Sequence, residues 1–132
     1  MKLSTTATYG LRICFLMALA DKTVSLSTLV EQTDLSEKYL EQILGKLRRK
    51  EIVGAKRGAG GGYFLSRPAR EISVASILSA LDCDLLFANC AAGDCKDDYC
   101  PNRNLFRRIY EAVDNIVGNT TLEDMIHEYK CV

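Results

Sequence analysis

The 132-residue sequence predicts a mainly α fold with a small β wing, and three observations lead there. Two short helical patterns meet at the polar break Thr33-Asp34, the arrangement of a helix-turn-helix. Directly downstream, two strand-like runs flank Arg57-Gly58-Ala59-Gly60-Gly61-Gly62, a turn that only glycine-rich backbone makes so tightly, and strand–turn–strand at that place describes a wing. A long apolar stripe follows Pro101. The expected architecture is a winged helix-turn-helix with a long C-terminal dimerisation helix. Residues 1–82 are expected to form the first unit, 83–102 a cysteine-bearing loop, and 103–132 the dimerisation helix and a last short helix.

Residues 7–21 read as a helix apolar on nearly every side, through Leu11, Ile13, Cys14, Phe15, Leu16, Met17 and Leu19. Such a helix must be covered on more than one face, which in so short a chain suggests a partner subunit. It contains Arg12 and lacks a clear cleavage site, so it is expected to be a folded helix rather than a signal peptide. Ser25 or Ser27 caps a short helix running to Gln32. Ser36 then caps a second, with Glu37 in its first turn where the helix dipole favours negative charge. Leu40, Ile43, Leu44 and Leu47 give that second helix its inward face.

Strands are expected over 52–56 and 63–65, and Pro68 ends the wing. Ser73 caps a helix reaching about residue 81. After Pro101 the stripe is Leu105, Phe106, Ile109, Val113, Ile116 and Val117, ending near Gly118. Little chain remains to cover it, so a homodimer interface is expected. Thr121 and Asp124 have capping-box spacing for the last short helix.

Net charge is zero, but its distribution is uneven. Between Gln42 and Arg70 lie Lys46, Arg48, Arg49, Lys50, Lys56, Arg57, Arg67 and Arg70, against Glu51 alone. Between Asp82 and Cys100 the sign reverses, with Asp82, Asp84, Asp94, Asp97 and Asp98 against Lys96. One half can neutralise phosphates while the other presents an acidic region. With no run of about 18 apolar residues, no membrane span is expected and the chain is expected to be cytoplasmic.

In a reducing compartment the six cysteines point to metal binding or redox sensing rather than disulfides. Cys90, Cys95 and Cys100 stand at equal five-residue steps in a segment too polar and too rich in Gly and Asp to be core. A metal or iron–sulfur site joined to a nucleic-acid reader is the reading that follows. A zinc-stapled interaction module satisfies the same thiols. Cys14, on an apolar helix, is expected to pack as a small hydrophobe. The lone His127 has no evident nucleophile partner and no nucleotide-binding motif is present, which argues against an enzyme.

Several strings, in this order, resemble the IscR/NsrR/CymR family of bacterial winged-helix regulators. They are Met1-Lys2-Leu3-Ser4 with Tyr9, Tyr39-Leu40-Glu41-Gln42-Ile43-Leu44, the wing string Arg57 to Tyr63, and the three-cysteine loop before a long helix. The resemblance covers essentially the whole chain and is nearest, in loop character, to the iron–sulfur-sensing type. It implies a dimeric transcription factor on double-stranded operator DNA, with the second helix in the major groove and the wing at the minor groove. Glu41 and Gln42 then meet base edges, since glutamate accepts from cytosine N4 and glutamine pairs with adenine N6/N7. Arg57 suits a narrow minor groove. Tyr9, Lys38, Lys46 and Arg48 are the expected phosphate contacts, and the motif tyrosine Tyr39 joins the DNA-binding set.

The resemblance carries cluster ligation, expected to be of a 2Fe-2S cluster, onto Cys90, Cys95 and Cys100. Soft thiolates suit such a centre. The fourth ligand is open. The histidine that the biogenesis regulator has a few residues beyond its last cysteine is missing from Pro101-Asn102-Arg103-Asn104. Thr6 and Thr8 stand where some members recruit an acidic residue from the partner's first helix. Cys83, Cys131, Asp94, Asp97 and Asp98 are the candidates. Two other members of the resemblance remain open as alternatives: a cluster-free cysteine-metabolism regulator like CymR, and a nitric-oxide-sensing repressor like NsrR.

Overall fold

The computed structural model describes residues 3–83 and 99–130. Helix α1 (Thr5–Ala20) starts where the Ser4 hydroxyl accepts the Ala7 N–H at 3.1 Å. It packs against the chain's second, third, fourth and last helices and against the wing, so Ile13, Cys14 and Met17 are fully buried. Later elements thus cover the Ile13, Cys14 and Met17 face from within the chain, while Leu11, Phe15 and Leu16 are only half-buried and Leu19 is exposed. Period along one helix cannot show that later elements fold back over it.

Helices α2 (Leu26–Thr33) and α3 (Glu37–Arg49) begin at Ser25 and Ser36, whose side chains accept the N–H groups of Thr28 and Tyr39. Between them Asp34 takes the left-handed conformation and its N–H closes α2 onto the Val30 carbonyl at 2.8 Å. The short carboxylate side chain is one of the few that tolerates that backbone region. Leu40, Ile43, Leu44 and Leu47 of α3 are all buried in the common core. Each contributes about 1.5–3 kcal/mol by leaving water.

The wing is an antiparallel pair, β1 (Val53–Lys56) and β2 (Gly62–Leu65), in a register running from Val53↔Leu65 to Lys56↔Gly62. Gly58 (φ 93°) and Gly60 (φ 74°) make the tip, closed by the Gly61 N–H on the Gly58 carbonyl at 2.9 Å. An isolated bridge between Val24 and Tyr63, with both N–H···O bonds at 2.8 Å, ties β2 to the start of α2. The wing is thus seated on the helix-turn-helix. A one-turn 3₁₀ helix, Ala69–Glu71, precedes α4 (Val74–Ala80), which Ser73 caps.

Helix α5 (Arg103–Asn119) packs chiefly on α4, and α6 (Leu122–Lys130) returns to α1 and the 3₁₀ turn. A second bridge, Ser73↔Thr121, anchors that return through Val74 N–H to Thr120 O (2.8 Å) and Leu122 N–H to Ile72 O (3.0 Å). Leu122 enters the same core as α1 and α3. The capping box is reciprocal: Thr121 N–H donates to Asp124 Oδ2 at 2.9 Å, and Asp124 N–H to Thr121 Oγ1 at 3.2 Å. The Thr121 backbone and hydroxyl donors hold the Asp124 carboxyl below the usual carboxylate range. No described helix is long and apolar enough to cross a membrane.

Cys14 is fully buried, and desolvation pushes its thiol up to about 12. Because the unfolded chain ionises this thiol at a lower pH than the folded one, stability is unaffected below about pH 9. From there it falls by about 1.4 kcal/mol per pH unit until the folded thiol ionises. Urea midpoints measured between pH 8 and 11 should show that decline in the native chain and lose one proton's worth of slope in Cys14→Ala. Equal slopes would show that the thiol is not shielded.

Candidate nucleic-acid interface

On α3, Lys38, Gln42, Gly45 and Arg49 recur at spacings of four, three and four residues and lie opposite the buried leucine–isoleucine face. Lys38, Gln42 and Arg49 are exposed. Glu41 and Arg48, also exposed, occupy the strip beside them. The outward side of this helix therefore carries hydrogen-bonding and cationic groups and no large apolar side chain. Arg57 is exposed at the wing, next to Lys56 at the end of β1. Between the end of α3 and the root of the wing, a groove is lined by Arg48, Lys50, Glu51 and Arg67.

Tyr9 and Tyr39 are half-buried and packed edge to face, with centroids 6.3 Å apart and planes at 87°. The Tyr39 hydroxyl lies 3.2 Å from Thr6 Oγ1. This tyrosine pair thus joins the N-terminal parts of α1 and α3. Lys46 lies on the other flank of the outward strip from Glu41 and Arg48 and pairs with Asp82 at 3.5 Å. Asp82 lies just past α4 in left-handed conformation, so this pair links α3 to the residue before Cys83.

The sequence reading missed Arg49 as a candidate, although its spacing from Lys38 and Gln42 would have found it. Lys50 and Arg67 were read only as part of the basic run, because the groove they line joins distant segments.

Of the expected cluster ligands, Cys90 and Cys95 lie outside the described residues, as do Asp94, Asp97, Asp98 and Cys131. Cys100 is free and half-buried three residues before α5. Cys83 is also free and half-buried, in a cleft between α4 and α5 lined by Ser79, Asp82, Tyr110 and Asp114. Among the described residues no group of three or more His, Cys, Asp or Glu could hold a metal ion.

A helix-turn-helix with a cationic, polar outward face and a glycine-tipped wing seated beside it is a DNA-binding module of the winged-helix class. Comparison with known proteins narrows this. The family model Rrf2, described as iron-dependent transcriptional regulator, matches residues 3–128, and the chain belongs to the Rrf2 family. It is 31% identical over 131 residues to the HTH-type transcriptional regulator IscR of Klebsiella pneumoniae (strain 342), covering 96% of this chain and 80% of that one. It resembles the structure of CymR, the global cysteine regulator of B. subtilis, with a TM-score of 0.82, 34% identity and 95% of each chain covered. The T. potens IscR structure matches with a TM-score of 0.79 and 31% identity, over 98% of this chain and 88% of that one. The chain is accordingly a transcriptional regulator that binds DNA, and not an enzyme.

Proposed function

We propose that this regulator depends on an iron–sulfur cluster whose occupancy tunes its affinity for operator DNA, with iron–sulfur cluster assembly genes among its targets. The carrying observation is the set of three evenly spaced thiols, Cys90, Cys95 and Cys100, in a chain whose family is described as iron-dependent. The donor chemistry fits: soft thiolates match the cluster irons, and Cys100 is a free thiol at the foot of α5. A bound cluster supplies a centre sensitive to iron supply and oxidants. The chain's own residues supply the link onward, because α5 packs on α4 and the residue past α4, Asp82, holds Lys46 of α3. Occupancy changes affinity only if it favours one setting of α3 over another.

On DNA, Glu41 and Gln42 read base edges in the major groove, while Lys38, Arg48 and Arg57 meet the backbone or the minor groove. Tyr9, Tyr39 and Lys46 act as positioning residues for α3 or as phosphate contacts at its edge. Two copies joined through α5 present two reading helices to paired half-sites. Gln42→Ala should weaken binding by about 1–3 kcal/mol at one base position only. Lys38→Ala should weaken all sequences alike and lower the salt slope by about 1.

Anaerobic purification followed by absorbance and iron and sulfide determination tests the cluster, and operator titration with and without it tests the coupling. Coloured protein that loses iron, sulfide and its operator response in Cys95→Ser and Cys100→Ser is the expected result. The likeness to CymR favours a second reading, a cysteine-linked regulator without a cluster. Colourless anaerobic protein that binds its operator at full affinity would establish that reading instead, and zinc in place of iron would establish a stapled loop.

A further inference from the structure

We propose that Gly45 is a close-approach position on α3: the missing side chain lets the helix backbone seat against the duplex, and any side chain there weakens operator binding while stabilising the fold. This rests on the reading of α3 as the helix that enters the major groove. Gly45 lies in the interior of a 13-residue helix, where glycine is a poor choice relative to alanine. None of the usual structural reasons for a glycine applies to it. It is not among the residues of positive φ. A Cβ built on it would meet nothing within 4 Å, whereas at Gly10 and Gly54 a Cβ would run into Leu81 and Phe64. It is four residues short of the end of α3, so it does not cap the helix.

No described residue of the monomer requires a glycine there, and the position points to a ligand outside it. Gly45 sits between Gln42 and Arg49 on the outward strip that begins at Lys38. The flanking side chains are long, so together they form two arms around a bare stretch of helix. Such a notch matches a duplex, whose sugar–phosphate ridge or base edges can approach main chain there while Gln42 and Arg49 reach to either side. Only one other described helix, α5, has a glycine whose Cβ would meet open space. That residue, Gly118, stands one residue from the helix end, where glycine disturbs little.

The experiment uses the full-length protein and a duplex selected by that protein from a randomised pool, with Gly45→Ala, Gly45→Gln, Gly118→Ala, Gln42→Ala and Arg49→Ala compared by thermal melting and titration. Gly45→Ala should raise the melting temperature by about 2–5 °C. It should also weaken binding to the selected duplex by about tenfold or more, with Gly45→Gln weaker still. Gly118→Ala should leave affinity unchanged. If both Gly45 variants bind like the native chain while Gln42→Ala and Arg49→Ala weaken binding, the close-approach role is overturned and the reading of α3 stands. If none of the α3 variants changes affinity, both fall.

Discussion

Gly62→Ala should remove roughly 3 kcal/mol or more of folding stability, whereas Gly60→Ala, two residues away in the same wing, should cost about 1 kcal/mol. The two glycines do different work. Gly60 needs only its positive φ of 74°, and a Cβ there would meet open space. Gly62 has φ 153°, and its Cβ would fall on the carbonyl of Val24 and within 2.9 Å of the Ser25 Cα. Those atoms are main chain, and they cannot give way independently. Val24 is already paired with Tyr63 through two 2.8 Å hydrogen bonds, and Ser25 is the cap of α2. A methyl group at Gly62 must therefore unseat the wing from the helix-turn-helix or distort the cap, and either opens the core beside Leu29 and Val53. Urea midpoints measure the difference directly. Similar midpoints for the two variants would mean that the wing is not seated on α2 as described. The operator affinity of Gly60→Ala should stay near that of the native chain, since the wing remains docked.

That contrast marks what a sequence can and cannot disclose. The helix caps at Ser36 and Ser73, the inward face of α3 and the Thr121–Asp124 box were legible because each is a local pattern with a local cause, and the cap of α2 was legible to within Ser25 or Ser27. The wing glycines were legible as a turn. Their division into tip residues and a docking residue was not, because the Val24–Tyr63 bridge joins residues almost forty positions apart. The same limit hid the cover of α1, the Tyr9–Tyr39 pair and the Lys46–Asp82 ion pair, each of which depends on elements distant in the chain. The 3₁₀ turn Ala69–Glu71 was missed because three residues after a proline carry no period. Of the candidate site, α3 and the wing could be placed from sequence since their polar faces follow from the apolar ones. The cysteine spacing pointed to a cluster through chemistry alone, and Cys90 and Cys95 lie outside the described residues.

With two copies paired through α5 as proposed, replacing Leu105 and Ile116 together by glutamate should convert dimer to monomer without unfolding it. Helix α5 is strongly one-sided, yet none of its residues is buried among the described residues. Val117 packs on the small cluster of Ala7, Val74 and Leu78, which accounts for one edge of the stripe. Phe106 and Val113 are half-buried, whereas Leu105, Ile109 and Ile116 stay in water at 50%, 38% and 63% exposure. Together with Ala112 these exposed residues repeat at intervals of four, three and four, the seam of a helix that packs along another of its kind. Nothing among the described residues covers this row, and left bare it would promote nonspecific association. Burying it against a second copy explains it, and two-fold symmetry places each substitution in the interface twice. At about 1.5–3 kcal/mol for each apolar side chain returned to water, the dimer dissociation constant should rise by at least about a thousandfold. Because the altered side chains are already exposed, the melting temperature of the dilute protein should depend on its concentration in the native chain and not in the variant. Sedimentation equilibrium reads the association directly. A variant that remains dimeric would locate the interface elsewhere and leave the seam without a function. A monomeric variant should also bind a two-half-site operator with the affinity of a single half-site, because in the proposed dimer this contact is what would align two α3 helices with successive turns of DNA.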